Sequence, residues 1–287
     1  MPLLKAYCPW NVRIAVLGVL LAAPITTRGE DAEPVQAESV TAGRAARNGG
    51  AAIGFVASVG PAYAGGDRVS STLQPGFALR WGRVSFASRS AFAVRSADPG
   101  ARGGLRVELA RGERLRASLG LRADSGRQAS SSDRLAGMGD VRRTLRARLS
   151  ASYRLDDGWR LGSAVMVDAL RRGTGTVVDL TLGREQRLTE GTSLGYAVAL
   201  SGGDSHYLQA YFGVTAEQAQ RSGYAVYTPG AGLRDISLSI GARTELAPQW
   251  AVFYGASASR LLAASARSPL TFKRNGWGLS GGLVYRF

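Results

Sequence analysis

Hydrophobic and polar residues alternate along most of the chain from about residue 51 onward. In the clearest stretch, 143–155, every second residue from Leu145 to Leu155 is Leu, Ala or Tyr, and Arg and Ser lie between them. Successive side chains of a strand point to opposite faces, so this pattern predicts a strand with one apolar and one cationic face. The same alternation predicts strands at 53–59, 73–81, 84–95, 105–109, 115–122, 159–167, 177–187, 194–200, 236–246 and 250–260.

Short turn signals separate these segments, as at 111–113, 156–158, 172–175, 190–191 and 247–248. Tight turns between alternating strands make neighbouring strands antiparallel. With a final strand at 276–287 the count is about 12, within a range of 10–12, and bacterial outer-membrane barrels have an even number of strands. The sequence therefore predicts an all-β fold, a transmembrane antiparallel β-barrel.

A soluble sandwich or barrel would also bury alternating strands, but with the apolar face inside. Several features favour the membrane form. Longer connections near 124–140, 201–231 and 262–275 alternate with tight turns, and the polar face combines small residues with Arg, which suits a wet lumen. Aromatic residues towards the strand ends fit interfacial girdles: Trp81, Tyr153, Trp159, Trp250, Trp277 and Tyr285.

The first residues read as an export signal. Lys5 and Arg13 precede the apolar run 14–24, which is typical of a secretory signal peptide and shorter than the roughly 20 residues of a membrane-spanning helix. We predict a signal peptide at 1–27, a disordered N-terminal segment at 28–50 and the barrel at 51–287. The single Cys, Cys8, lies in the predicted signal peptide, so the mature chain would hold no thiol.

The last strand is apolar on one face and ends in an aromatic residue. This pattern resembles the signal read by the barrel assembly machinery, a predicted partner, whereas an open apolar edge on a soluble domain would favour aggregation. The residues of this predicted signal are Trp277, Leu279, Leu283, Tyr285 and Phe287.

The formal net charge is +15, and Arg supplies almost all of the positive charge. Arg facing lipid at mid-bilayer would cost about 2–4 kcal/mol each, so the arginines of the polar face must point inward. The predicted lumen-lining residues are Arg80, Arg106, Arg116, Arg122, Arg146, Arg148, Arg154, Arg160 and Arg243. Two interpretations stay open: an anion-favouring channel, or a lumen filled by arginines paired with residues such as Glu108, Asp168 and Glu245.

The chain offers little for catalysis. Its one His, His206, lacks the partners of a metal site, and no cofactor is predicted. A Ser-His-Asp hydrolase would have to use His206 with neighbours such as Asp204 and Ser205, which leaves an outer-membrane hydrolase as a third hypothesis. The arginines form no compact patch of the kind that binds nucleic acid, so no nucleic-acid partner is expected.

Several short motifs resemble a known family. They are Pro-x-Tyr-x-Gly at 61–65, Trp-Gly-Arg at 81–83, Leu-x-Gly-Met-Gly-Asp at 135–140, Phe-Gly-Val at 212–214 with Ser-Gly at 222–223, and Tyr-Arg-Phe at 285–287. In this order they resemble the MipA/OmpV outer-membrane proteins (MltA-interacting protein).

The resemblance implies a non-enzymatic scaffold that links the outer membrane to murein-processing enzymes, a lytic transglycosylase and a peptidoglycan synthase. It implies a location in the outer membrane of a Gram-negative bacterium, among lipid and lipopolysaccharide. The alternative from the arginine face is a narrow, porin-like, anion-favouring channel.

Overall fold

The computed structural model describes residues 50–88 and 101–287, with the backbone alone at 101–103. These residues form a closed barrel of twelve antiparallel strands, in which each strand pairs with its chain neighbours and β1 pairs with β12. The predicted transmembrane barrel fold is confirmed. The strands are β1 (Gly50–Pro61), β2 (Val69–Trp81), β3 (Val84–Ala87), β4 (Ala101–Arg111), β5 (Leu115–Asp124), β6 (Thr144–Arg154), β7 (Trp159–Asp168), β8 (Thr176–Arg187), β9 (Thr192–Gly203), β10 (Gly232–Glu245), β11 (Trp250–Leu261) and β12 (Asn275–Arg286).

The predicted signal peptide (1–27) and nearly all of the predicted N-terminal segment (28–50) lie outside the described residues, and β1 already begins at Gly50. The second half of the strand predicted at 84–95 lies outside them too.

The alternation places the apolar side chains on the outside of the barrel. On β6, Leu149 is 53% exposed, whereas Arg146 and Ser150 on the opposite face are 0% and 3% exposed. Most strands repeat this arrangement, so the outer wall is a continuous apolar belt, far larger than the apolar patches of soluble monomers. A bilayer covers such a surface, and the closed hydrogen-bonded sheet leaves no open edge in the hydrocarbon. In the described part of the chain, no helix combines the length and hydrophobicity that crossing a membrane requires.

The barrel closes where β12 lies between β1 and β11, with Phe55 opposite Leu283. A Cβ on Gly54 would overlap the main-chain oxygen of Leu283, so the strands approach this closely only because the residue is Gly. On β12, the ring of Tyr285 contacts the rings of Trp250 and Phe287, each at a centroid distance of 5.0 Å. The predicted C-terminal strand is therefore the strand that completes the barrel.

The two ends of the barrel differ. Short turns at 82–83, 112–114, 155–158, 188–191 and 246–249 define the turn end. The opposite loop end carries the connections 62–68, 125–143, 169–175, 204–231 and 262–274. These loops contain three short helices, α1 (Ser205–Phe212), α2 (Ala216–Ser222) and α3 (Ala263–Arg267), and the 3₁₀ turns Ala129–Ser131 and Asp133–Leu135.

Four of the loops, 62–68, 125–143, 204–231 and 262–274, fold together into what we call the cap. One apolar cluster joins α1 to inward-facing residues of the barrel; its members are Met166, Val177, Tyr207, Leu208, Tyr211, Phe212 and Leu261. A second lies among the loops themselves: Ala62, Tyr63, Leu135, Met138, Val214 and Leu270. Through α1, the cap contacts both β5 and β11, which lie on opposite sides of the barrel, so α1 crosses the mouth.

Candidate functional site: the capped lumen

The structure places all of the predicted arginines on strand faces opposite the exposed apolar residues. Arg122, Arg146 and Arg148 are buried near the loop end. Arg154 is exposed near the turn end, and the remaining ones are half-buried: Arg80, Arg106, Arg116, Arg160 and Arg243. The lumen thus changes along its length from buried, engaged arginines under the cap to solvent-accessible arginines near the turns.

Arg146 is the centre of the buried end. Its Nε donates to Oδ2 of Asp124 at 2.5 Å, and its two other nitrogens donate to the carbonyl oxygens of Gly175 (3.0 Å) and Thr174 (3.1 Å). The Tyr211 hydroxyl donates to the same Asp124 carboxylate at 3.3 Å. Arg146 therefore ties β5 and β6 to the β7–β8 loop, and Asp124 ties them to α1.

A second buried arginine, Arg234, contacts the same Tyr207 ring as Arg146. The guanidinium carbons of Arg234 and Arg146 are 5.6 Å and 5.5 Å from the centre of the Tyr207 ring. Arg234 also donates to the Tyr207 hydroxyl (2.7 Å) and to the Asp235 carboxylate (2.5 Å). Desolvated cation–π contacts are worth about 2 kcal/mol or more, so the contacts of Tyr207 with the two arginines help to hold α1 against the barrel.

Arg234 is absent from the predicted lumen residues because the strand pattern breaks there. The register of β10 against β9 shifts between Leu233 and Asp235, and this bulge turns both Arg234 and Asp235 inward. The sequence carries a signal of this, because Leu233 does not share the parity of Ile236 and the apolar residues that follow. Asp124 and Arg127 are also absent from the predicted residues, and they lie at the end of β5 and in the loop that follows it.

Asp204 fixes the start of α1. Its carboxylate accepts hydrogen bonds from the main-chain nitrogens of Tyr207 (2.7 Å) and Thr176 (2.9 Å). Burial alone would raise the pKa of Asp204, but these hydrogen bonds outweigh it and hold the pKa below its usual value. Ser205 and His206, the other residues of the hydrolase hypothesis, are exposed on the first turn of α1. Among the described residues, no group of His, Cys, Asp and Glu is arranged to hold a metal ion.

Ion pairs of a different kind line the turn end. Glu108 accepts from Arg80 at 2.7 Å and from Arg111 at 2.5 Å, and Arg286 pairs with Glu245 at 3.2 Å. Two of the acids that the filled-lumen interpretation named, Glu108 and Glu245, are therefore paired with Arg. Arg154 faces Arg160 directly across β6 and β7, a like-charged pair that raises the positive potential there.

The middle of the opposite wall is small and uncharged, whereas Phe253 and Arg286 lie towards its turn end and Leu261 lies at its loop end. The inner faces of β11 and β12 carry mainly Gly and Ser: Gly255, Ser257, Ser259, Gly276, Gly278 and Ser280. A Cβ on Gly278 would press on the Ser257 hydroxyl, which shows how closely these strands approach. The arginines of β4 to β7 thus face a wall that is small in its middle, and the side of the lumen formed by β4 to β7 carries most of the predicted lumen arginines.

Three of the five short motifs of the sequence meet in the cap, and the other two, at 81–83 and 285–287, lie at the turn end. Tyr63, Leu135, Met138 and Val214 come from three separate motifs and belong to the second apolar cluster. Gln218 links the motifs further, because it donates to the carbonyl oxygen of Met138 at 2.7 Å. These three motifs therefore specify contacts within the cap.

A comparison with curated protein sequences gives no significant match. Among solved structures, the chain is similar to the NanC porin (7% identity, TM-score 0.40, 82% of this chain and 98% of that one) and to an anion-selective porin from Comamonas acidovorans (14%, 0.33, 76% and 60%). It is also similar to a FadL homologue from Pseudomonas aeruginosa (11%, 0.36, 92% and 98%). Likeness this distant carries no information on function.

The sequence of residues 53–287 matches the model of the family described as MltA-interacting protein MipA. This range contains every strand from β2 to β12, most of β1 and the whole cap. The chain therefore belongs to the MipA family.

Proposed function

We propose that this protein is a non-enzymatic scaffold of the outer membrane, closed at its loop end, that binds murein-processing enzymes at its turn end. The observation that carries the proposal is the cap. The apolar contacts of α1 and the buried pair of Arg146 and Asp124 fill the mouth of the barrel, through which a solute would have to pass. A barrel closed in this way is better suited to holding partners than to passing solutes.

The family supports the class of partner, since its name describes a protein that interacts with MltA. A lytic transglycosylase, together with a peptidoglycan synthase, is the partner class that we propose for this chain. Such enzymes work in the periplasm, where outer-membrane barrels present their short turns. The turn end and the N-terminal segment are therefore the proposed contact surfaces.

The proposed orientation also suits the charge of the outer surface. The rim of the loop end carries exposed basic residues: Arg142, Arg143, Arg171, Arg172, Lys273 and Arg274. They lie beyond the apolar belt, at the height where the phosphates of lipopolysaccharide would meet them. Recovery in the outer-membrane fraction, with gel mobility that changes on heating, tests this location, and recovery in the soluble fraction would contradict it.

A site-specific crosslinking experiment tests the scaffold function. A photo-reactive residue replaces either Glu190, exposed in a short turn, or Glu217, exposed on α2 in the cap. We expect the Glu190 variant to capture a murein synthase or lytic transglycosylase in cells, and the Glu217 variant to capture neither. Capture of such an enzyme at both positions, or at neither position, would contradict the proposed turn-end surface.

A second candidate function is a narrow, anion-favouring channel, and the cationic side of the lumen favours it. Single-channel recording of the refolded mature chain in a planar bilayer, with a salt gradient, separates the two. Stable steps with anion preference would support the channel. Silence from a folded barrel would support closure by the cap.

A further inference from the structure

Arg127 is buried in the cap, and no carboxylate of the described residues forms an ion pair with it. Its side chain is 4% exposed, and it donates one hydrogen bond, from Nη1 to the carbonyl oxygen of Tyr211 at 2.6 Å. Its Nε has no hydrogen-bond partner, and within residues 50–88 and 101–287 no carboxylate lies within 4.0 Å of it. Because arginine stays protonated in proteins, a full positive charge is buried there. An unpaired buried charge is costly unless something neutralises it.

The acidic groups around Arg127 are engaged elsewhere. Asp124 pairs with Arg146, Asp235 pairs with Arg234, and Asp140 accepts from the main-chain nitrogen of Ala129 at 2.7 Å. Tyr63 does not supply a phenolate, because burial raises its pKa to about 12 and its hydroxyl donates to the carbonyl oxygen of Leu270. None of these three carboxylates forms an ion pair with Arg127.

A small pocket adjoins this charge. Arg127 lines it together with Arg234 and the aromatic residues Tyr63, Tyr207, Tyr211 and Phe212. The space is comparable to that of one water molecule, which admits a monatomic ion and excludes a sugar, a peptide or a nucleotide. Its lining therefore combines two arginines with aromatic side chains, and no Asp or Glu belongs to it.

We propose that this pocket binds a small monovalent inorganic anion, chloride in the simplest case, and that the bound anion helps to hold the cap shut. The ion neutralises Arg127 and joins the 125–143 loop to the end of α1. Anion binding of this kind stabilises only the closed cap, so the stability of the folded barrel depends on the chloride concentration. The site does not depend on the scaffold function, since it concerns the cap alone.

The test compares thermal unfolding of the refolded mature chain in sodium chloride and in sodium gluconate at equal ionic strength. We expect chloride to raise the Tm by about 2–4 °C. Arg127→Met removes this difference. The matched control is Arg221→Met, because Arg221 also donates to one main-chain carbonyl, that of Gly137, but is exposed; it keeps the chloride effect.

A Tm that is the same in both salts, or a chloride effect that survives in Arg127→Met, would overturn the proposal. If Arg127→Met does not fold, crystals of the wild type grown in sodium bromide show whether the pocket binds an anion. An anomalous bromide peak beside Arg127 supports the site, and a pocket that shows only water, without anomalous signal, refutes it.

Discussion

At the scale of the residue, the cap depends on a few buried charges, and Arg146 tests this most directly. Replacing Arg146 by Met leaves the buried Asp124 carboxylate without its cation and should cost about 3–5 kcal/mol of unfolding free energy. Arg154→Met is the matched control on the same face of β6, where the side chain is exposed; it should cost less than about 0.5 kcal/mol. Urea unfolding followed by tryptophan fluorescence measures both, and equal costs would contradict the buried-network interpretation.

Asp204 gives a residue-scale prediction with a pH dependence. Asp204→Ala removes the oxygens that accept from Tyr207 and Thr176 and should cost about 1–2 kcal/mol, whereas Asp204→Asn keeps an acceptor at the start of α1 and should cost less. The pKa of Asp204 is lowered in the folded state. Its stabilising contribution is therefore complete above about pH 4 and is lost as the pH falls through the lowered pKa.

Urea midpoints of wild type and Asp204→Asn between pH 6 and pH 3 check this sign. The wild type should lose more stability than the variant over that range. An identical decline in both proteins would show that other carboxylates cause the acid sensitivity.

Some residues of the lumen were predictable from the sequence and others were not. The arginines of the regular strands followed from the period of two, because lipid on one face requires the opposite face to carry the charge. Arg127, Arg234 and Asp124 did not follow from it. They lie at a strand end, at a bulge or in a loop, where the position of a side chain depends on contacts between segments far apart in the sequence.

At the scale of the element, the junction between the β7–β8 loop and α1 allows little change. Gly175 has a φ of +62°, and a Cβ there would overlap Asp204 Oδ1 and the main-chain nitrogen of Tyr207. Gly173 has a φ of +80°, but a Cβ at that residue would meet no other atom within 4 Å. Gly173→Ala should therefore cost only the left-handed backbone strain, about 1–2 kcal/mol, and Gly175→Ala clearly more.

Amide hydrogen exchange of α1 measures the local consequence of each substitution. We expect Gly175→Ala to speed exchange at the start of α1 and Gly173→Ala to leave it nearly unchanged. Equal exchange in the two variants would mean that the helix does not rest on this loop as the structure indicates.

Among the elements, too, some were predictable from the sequence and others were not. The strands were predictable because each shows its own alternation, and the short turns because Gly and Asp mark them. The cap was not, since its helices are short and its apolar residues Tyr63, Leu135 and Val214 come from three loops without a common period. Its motifs were recognisable in the sequence, but they come into contact only because the closed barrel brings their loops together.

At the scale of the whole molecule, closure of one end decides between the two candidate functions. The same arginines that would attract anions in an open barrel are tied, at the loop end, to Asp124, Asp235 and Tyr207. The cationic side of the lumen nearer the turns remains half-exposed. An anion could therefore enter from the turn end, while under the proposed closure its passage through the barrel requires α1 to leave the mouth.

Replacing α1 should therefore open the barrel. α1 buries Tyr207, Leu208, Tyr211 and Phe212, whereas α2, of similar length in the same loop, buries no residue fully. A Gly/Ser linker in place of 205–212 should give stable conductance steps with anion preference in a planar bilayer, because the Arg-lined lumen then continues to both sides. The same linker in place of 216–222 should leave the barrel silent. Conductance of the wild type equal to that of the 205–212 variant would show that α1 does not close the lumen, and would favour the channel over the scaffold.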